Sequence, residues 1–469
     1  MKRFDGAMAE TGGAGASDGP MPSFRTGSYA RTILSPLWRL ALPTMSVNFA
    51  QIGVSVAEVY YISFLGTAAL AGAALVFPIY MLMQTMSGGG LGNGVSSAIA
   101  RATGAGRRED VAAIQLHGLV LAVLIGAACS VVMLLAGPAL FRALGARGEV
   151  LRDALHYSTP LFLGVTCLWV TNALASSFRG MGNPMLPAKI SLAGAAFMIP
   201  VSPAFIFGFG PLPALGIGGA GLALVLYQCG AMLTLLWCMR KWRAKSGAAG
   251  FSFRSAILAD IFRIGIPSSF NSLQQSLMAV VMASLATRFG VDALAGYGIA
   301  ARLDTMLLPP LFGIASAVLT LVGMNVGARN VAHARQFAWA GTGAAMAVAG
   351  IPGIVVAIWP DIWAGLFSDQ GQVLRNAAIY LHVAGGFYMV FAAGFILCFA
   401  VQGAGSAIWA SAGVTLRFLV TVSVGWVAVA MMGGGFIWLP IASALGLIAY
   451  AGAGGAAVFS PGVWRRGAA

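Results

Sequence analysis

The sequence predicts an all-α polytopic membrane protein of about twelve transmembrane helices. They form two six-helix repeats related by a pseudo-two-fold axis along the membrane normal. Three observations carry this. The 469 residues are 59% hydrophobic and only 9% charged, with mean hydropathy +0.86, whereas soluble domains carry about 25% charged residues. Apolar segments of roughly 20 residues, the length that crosses a bilayer as a helix, alternate with short loops. The chain also repeats itself at a nearly constant offset. A membrane barrel would need alternating segments of about ten residues, and none are visible. The 63 glycines suit helices packed backbone to backbone in lipid.

Residues 1–32 are small and polar without an apolar core, which predicts a disordered cytoplasmic tail and not a cleavable signal peptide. An N-terminal lobe is expected over 33–239, a basic cytoplasmic linker over 240–256, a C-terminal lobe over 257–460 and a cytoplasmic tail over 461–469. The repeat fixes the lobes. "LALPTMSVNFAQ" matches "IGIPSSFNSLQQ", with Pro43 and Pro267 separated by 224 positions (267 − 43). "LGTAALAG" matches "FGVDALAG" at the same offset, Gly66 facing Gly290 (290 − 66 = 224). "TGAGRRED" and "RGMGNP" match "VGARNVAH" and "QGAGSA" at 223, Gly104 with Gly327 and Gly180 with Gly403 (327 − 104 and 403 − 180). Six is even, so both lobes enter the membrane in the same direction, with a cavity between them near the midplane. Such repeats point to alternating access.

The net charge of +14 follows topology and implies no nucleic-acid partner. Arg31, Arg107, Arg108, Arg179, Lys189, Arg240, Lys241, Arg243, Lys245, Arg329, Arg335, Arg465 and Arg466 all fall on one side if both termini are cytoplasmic, as the positive-inside rule expects. The setting is therefore the inner or plasma membrane, with the lipid bilayer as partner and a monomer expected. The five cysteines, Cys129, Cys167, Cys229, Cys238 and Cys398, lack ligand spacing and read as small apolar residues. There is no GxxxxGK[ST], no metal-spaced His pair and no GxSxG. The chain is not expected to be an enzyme, to bind a metal or to need a cofactor, and without an ATP site its energy must come from an ion gradient.

The chemistry concentrates on the first helix. Asn48, Gln51, Ser55 and Glu58 step by three, four and three, which sets them on one face, and Tyr61 continues it. A polar stripe must face protein or water, not lipid. Adding the offset sends Gln51 to Gln275 but Glu58 to Met282 (58 + 224), so the acid belongs to the N-terminal half alone. A carboxylate withdrawn from water favours its neutral form, so Glu58 is the candidate for cation coupling: a proton taken up on one side and released on the other. The alternative is a glutamate neutralised by Ser55 or nearby backbone in a purely structural role. Gln51, Ser55, Tyr61, Asn172, Gln275 and Asp304 are candidates for the substrate cavity. Asp304 follows Arg302 by two, so a local charge network is the competing reading there, and for Asn172 a helix–helix hydrogen bond.

These residues resemble the multidrug and toxic compound extrusion (MATE) family. The resemblance rests on "LALPTM" opening the first helix, an acid before "FLGTAALAG", "SSAIARATGAGRRED", "FRGMGNPMLPAK", "LVGMNVGARNVAHAR" and "VQGAGSAIWAS", over about residues 33 to 460, with Arg417 where the family often has an arginine. It implies a cation-coupled antiporter exporting amphipathic, often cationic compounds for protons or sodium, and it places Glu58 where many members carry an aspartate. Where relatives carry Asn-x-x-x-Asp-Pro in the fifth helix, this chain has Met198 and Ser202 before Pro203, and Leu224 stands where a threonine is common. Sodium would find few oxygen ligands, so proton coupling is favoured over sodium. The acids that another branch carries on the seventh and tenth helices are missing. The expected function is a secondary active antiporter exporting small drug-like or natural-product molecules for protons. The rivals are a lipid-linked saccharide flippase of the same superfamily, which favours a cationic cavity and extra helices, and a non-transporting membrane receptor or channel.

Overall fold

A computed structural model of the chain describes residues 30–209, 213–246 and 253–466. Twelve long helices account for almost all of them: α1 Ala30–Ser63, α2 Thr67–Gly104, α3 Arg108–Ala143, α4 Gly148–Leu163 with Val165–Gly180, α5 Met185–Phe207, α6 Ile217–Ser246, α7 Ser255–Thr287, α8 Val291–Gly327, α9 Val331–Ile358, α10 Gly371–Gly403, α11 Ala407–Met431 and α12 Trp438–Phe459. Ten of these are long and apolar enough to cross a membrane, and α4, bent by 46° between its two halves, supplies an eleventh span. α7 is equally long at 33 residues but carries Ser268, Ser269, Asn271, Ser272, Gln274 and Gln275 in its middle. The protein is all-α and multi-pass, as the sequence predicts.

The duplication is visible in the backbone. Gly66 caps the start of α2 with φ 105° and ψ 174°, and Gly290 caps α8 with φ 98° and ψ 176°. Gly182 and Gly405, after α4 and α10, both sit at positive φ, 76° and 85°. The turn after α2 places Gly106 at φ 71°, and its counterpart after α8 is Arg329 at φ 61°. Arg329 is the only non-glycine residue in that region among the described residues. Substitution changed the side chain while the tertiary fold kept the turn.

Packing is symmetric too. The lobes meet where α1 lies on α8, α7 lies on α2, and α2 lies on α8. The first and second contacts exchange under the repeat, and the third maps onto itself, so the pseudo-axis runs between α2 and α8. Close approaches fall in one half of the bundle, nearer the termini: α1 up to Asn48, α2 from Gly90, α7 up to Ser269 and α8 from Pro309. There the chains interlock. Ile33, Leu37, Leu40 and Ala41 of α1 belong to the C-lobe core, while Ile261 of α7 belongs to the N-lobe core. α2 is buried without interruption from Gly90 to Ala102, which fits its composition: "GGLGNGVSSAIA" is small enough for two lobes to close on it. Over Met86–Leu91 α2 widens into a π-helical turn, consistent with three consecutive glycines that hold an α-helix weakly.

The helix ends do not coincide with the expected lobe and linker limits. Helix α1 begins at Ala30, α6 continues to Ser246 and α7 starts at Ser255, and a short helix, Pro461–Arg466, occupies the start of the expected tail. Lysine and arginine are good helix formers, so a basic stretch after a membrane span prolongs the helix into water and does not end it. The rest of the expected N-terminal tail lies outside the described residues.

Candidate coupling site and gate

Glu58 lies five residues from the far end of α1. It is buried, 8% exposed, and points into the N-lobe. The Tyr157 hydroxyl of α4 donates to Glu58 Oε1 at 2.9 Å. Tyr80 of α2 also stands near the acid and lies against Gln228 of α6. A cavity of about 10 Å³ lies beside Tyr80 and Gln228, walled by Gly164, Leu168 and Leu224. The acid therefore sits among helices of its own lobe, with a phenol as its hydrogen-bond donor.

The other predicted residues do not converge on it. Gln51 is exposed and Ser55 half-buried on α1. Asn48 donates across the lobe boundary to the Pro309 carbonyl at 3.3 Å. Tyr61 donates to the Ile199 carbonyl of α5 at 3.2 Å, fixing α5 beside α1. Met198 and Ser202 are buried on α5. Asn172 donates to Ser87 at 2.7 Å, a helix–helix hydrogen bond. Gln275 is half-buried; its neighbour Gln274 makes the tertiary contact, donating to Thr415 at 3.0 Å. Asp304 faces the interior of the C-lobe toward Tyr388 and Arg417. The stripe of four on α1 thus resolves into a bridge to α8, an exposed amide, a half-buried hydroxyl and one buried acid.

Sequence reasoning missed a polar clasp at the terminal end of the lobe interface. Arg101 of α2, 8% exposed at its side chain, reaches Asp260 of α7 with Nη2 at 2.8 and 2.6 Å from the two carboxylate oxygens. Its Nη1 donates to Ser97 and to the Gly403 carbonyl of α10. Gln402 is the hub: its side-chain oxygen accepts from Asn93 at 3.1 Å and Ser268 at 3.2 Å, and its carbonyl accepts from Ser97 at 2.6 Å. Thr320 of α8 donates to the Arg179 carbonyl at 3.3 Å. Glycines admit this closeness: a side chain on Gly104 would run into the Met324 backbone, and one on Gly327 into that of Arg101. The available signal was the arginine of "SSAIARATG" inside a small-residue run, where an unpaired cation is not tolerated.

Two duplicated lobes, clasped at one end of a membrane-length bundle and free of such contacts at the other among the described residues, with Glu58 buried in one lobe and Met282 at its repeat position in the other, define a multi-pass membrane transporter. Comparison with known proteins gives the particular family. The MatE family model matches residues 43–204 and 267–427, once per lobe, and the starts of the two matches differ by 224 (267 − 43), the offset of the internal repeat. The chain belongs to the MATE family. Among curated relatives, a probable multidrug resistance protein NorM of Deinococcus radiodurans is 32% identical over 70% of this chain and 71% of its own length. A FAD transporter of Shewanella oneidensis is 26% identical over 76% of this chain and 80% of its own. Among solved structures, an outward-facing multidrug resistance MATE transporter of the MOP superfamily has TM-score 0.81 at 25% identity, covering 92% of this chain and 96% of that one.

Proposed function

We propose that this protein is a proton-coupled antiporter that exports small organic molecules across the inner or plasma membrane by alternating access, with both termini cytoplasmic. The observation that carries the reading is Glu58: a buried acid, hydrogen-bonded by one phenol, in one lobe, with Met282 at its repeat position. The orientation rests on the basic residues gathered at the terminal end. In that orientation the Arg101–Asp260 clasp closes the cytoplasmic side, so the conformation is one shut to the cytoplasm. A proton arriving from outside meets Glu58 near the far end of α1. Neutralising the acid lowers the cost of moving it through the low-dielectric lobe as the lobes rock. Once the cytoplasmic side opens, the proton leaves and substrate enters. One charge moving across 100 mV supplies about 2.3 kcal/mol, and a pH gradient adds to it. Organic substrates are in keeping with relatives named for multidrug resistance and for FAD transport.

The test is transport in proteoliposomes containing the full chain, with an imposed pH gradient in one set and a sodium gradient in the other. The reading expects uphill export of an organic dye driven by protons. Export driven by sodium alone contradicts it.

A further inference from the structure

The C-lobe contains an acid that the mechanism above leaves unused. Asp304 on α8 occupies the repeat position of Tyr80 (304 − 80 = 224), the residue beside Glu58 in the N-lobe. Around it the duplication is preserved: Tyr380 and Tyr450 take the places of Tyr157 and Tyr227 (380 − 157 and 450 − 227, both 223). Each lobe thus holds one acid in a nest of phenols, borne on α1 in one lobe and on α8 in the other.

The two nests differ by one cation. Arg417 of α11 stands where the N-lobe has Gly194 (417 − 194 = 223). Gly194 lies against Tyr227. Arg417 instead places its guanidinium over the rings of Phe391 and Tyr450, 4.9 and 5.8 Å from their centroids. These faces stabilise the cation without a carboxylate. Asp304 is faced by Tyr297 of its own helix, Tyr380 and Tyr388 of α10, and Arg417 of α11. The helices α1, α2, α7 and α9, also packed on α8, place no charged group against it. Yet the acid and the guanidinium form no ion pair, the Tyr388 hydroxyl stands against the carboxyl, and Asp304 Oδ1 and Arg417 Nε are both buried without a hydrogen-bond partner.

We propose that Asp304 is a second proton-exchange site, at which a proton and the Arg417 guanidinium compete for one carboxylate. In the open arrangement the carboxyl carries the proton while Arg417 rests on its aromatic faces. When Arg417 closes on Asp304, an ion pair replaces the O–H bond and the proton leaves, so total charge is conserved. A buried carboxylate needs one cation or the other, and a movement of α11 against α8 decides which. The site extends the proton-coupled reading, giving each lobe one proton carrier.

Infrared difference spectroscopy on the full chain in lipid, between acidic and alkaline buffer, reads protonated carboxyl groups directly. Among the titrating carboxyl bands of wild type, Glu58→Gln should remove one and Asp304→Asn another. In Arg417→Gln the Asp304 band should persist in alkaline buffer, because nothing competes with the proton. Difference spectra unchanged by Asp304→Asn, or an Asp304 band that titrates as in wild type in Arg417→Gln, overturn the proposal; should Asp304→Asn fail to fold, Arg417→Gln decides. The Glu58 band stands or falls separately, so failure of the first reading is distinguishable from failure of this one.

Discussion

Replacing Asp260 by asparagine should release the clasp and populate the conformation open at the terminal side. Asp260 accepts both of its charge-assisted bonds from one nitrogen of Arg101, at 2.8 and 2.6 Å. Breaking a fully buried pair costs about 3–5 kcal/mol, whereas an exposed pair contributes about 0–1 kcal/mol. Here Arg101 is 8% exposed and Asp260 39%, and Arg101 keeps Ser97 and the Gly403 carbonyl as partners. The intermediate value, about 1–2 kcal/mol, corresponds to a shift of roughly 5–30-fold in the equilibrium between the two conformations. The assay is pulsed electron-electron distance measurement between spin labels at Arg108 and Gln336, both exposed, one on each lobe at the clasped end, in a background with the native cysteines replaced. Wild type should give one dominant short distance; Asp260→Asn should raise the long-distance fraction by that factor. An unchanged distribution in Asp260→Asn would show that the ion pair does not hold the lobes together.

Three further outcomes are expected. Gly104→Val puts a branched side chain against the Met324 backbone of the opposite lobe, costing about 1–3 kcal/mol in the closed state; the same labels should report a widened terminal end and transport should stop, whereas an unaltered distance contradicts the close packing. Arg329→Gly removes a side chain from a left-handed position at φ 61°, which costs a non-glycine residue about 1–2 kcal/mol. Set against the greater chain entropy of glycine, thermal unfolding in detergent should show a net gain of about 0.5–1 kcal/mol, and a fall in midpoint argues against strain there. Tyr157→Phe deletes the donor to Glu58, a bond to a chargeable group worth about 1.5–3 kcal/mol. Proton-driven export should slow by roughly tenfold or more, while Tyr61→Phe, whose hydroxyl binds the Ile199 carbonyl, leaves it near wild type; equal effects would mean both tyrosines serve only packing.

Much of the architecture was legible because helix length and duplication are written locally. Pro43 with Pro267 and Gly66 with Gly290 set the offset, and that offset recurs in the paired turns and the paired inter-lobe contacts. Glu58 stood out because an acid inside an apolar run has few explanations. Its partner did not: Tyr157 is 99 positions away, and an isolated tyrosine on a predicted helix carries no sign of what it faces. Arg101 and Asp260, 159 positions apart, were hidden for the same reason. The helical stripe on α1 was correct as geometry on a cylinder, yet α8 and α4 claim Asn48 and Glu58 from different sides, so a shared face did not become a shared site. Proline and glycine announce a bend or a turn, but only the tertiary fold determines that Arg329 must adopt the turn that glycine takes in the other lobe.

The central claim is that Glu58 converts a proton gradient into movement of the two lobes. Its most direct test is Glu58→Gln in proteoliposomes, with uphill export under an imposed pH gradient and downhill flux without one measured on the same preparation. The account predicts that uphill export disappears while downhill flux continues, since the lobes and their clasp remain intact. Proton-driven accumulation undiminished in Glu58→Gln would contradict it.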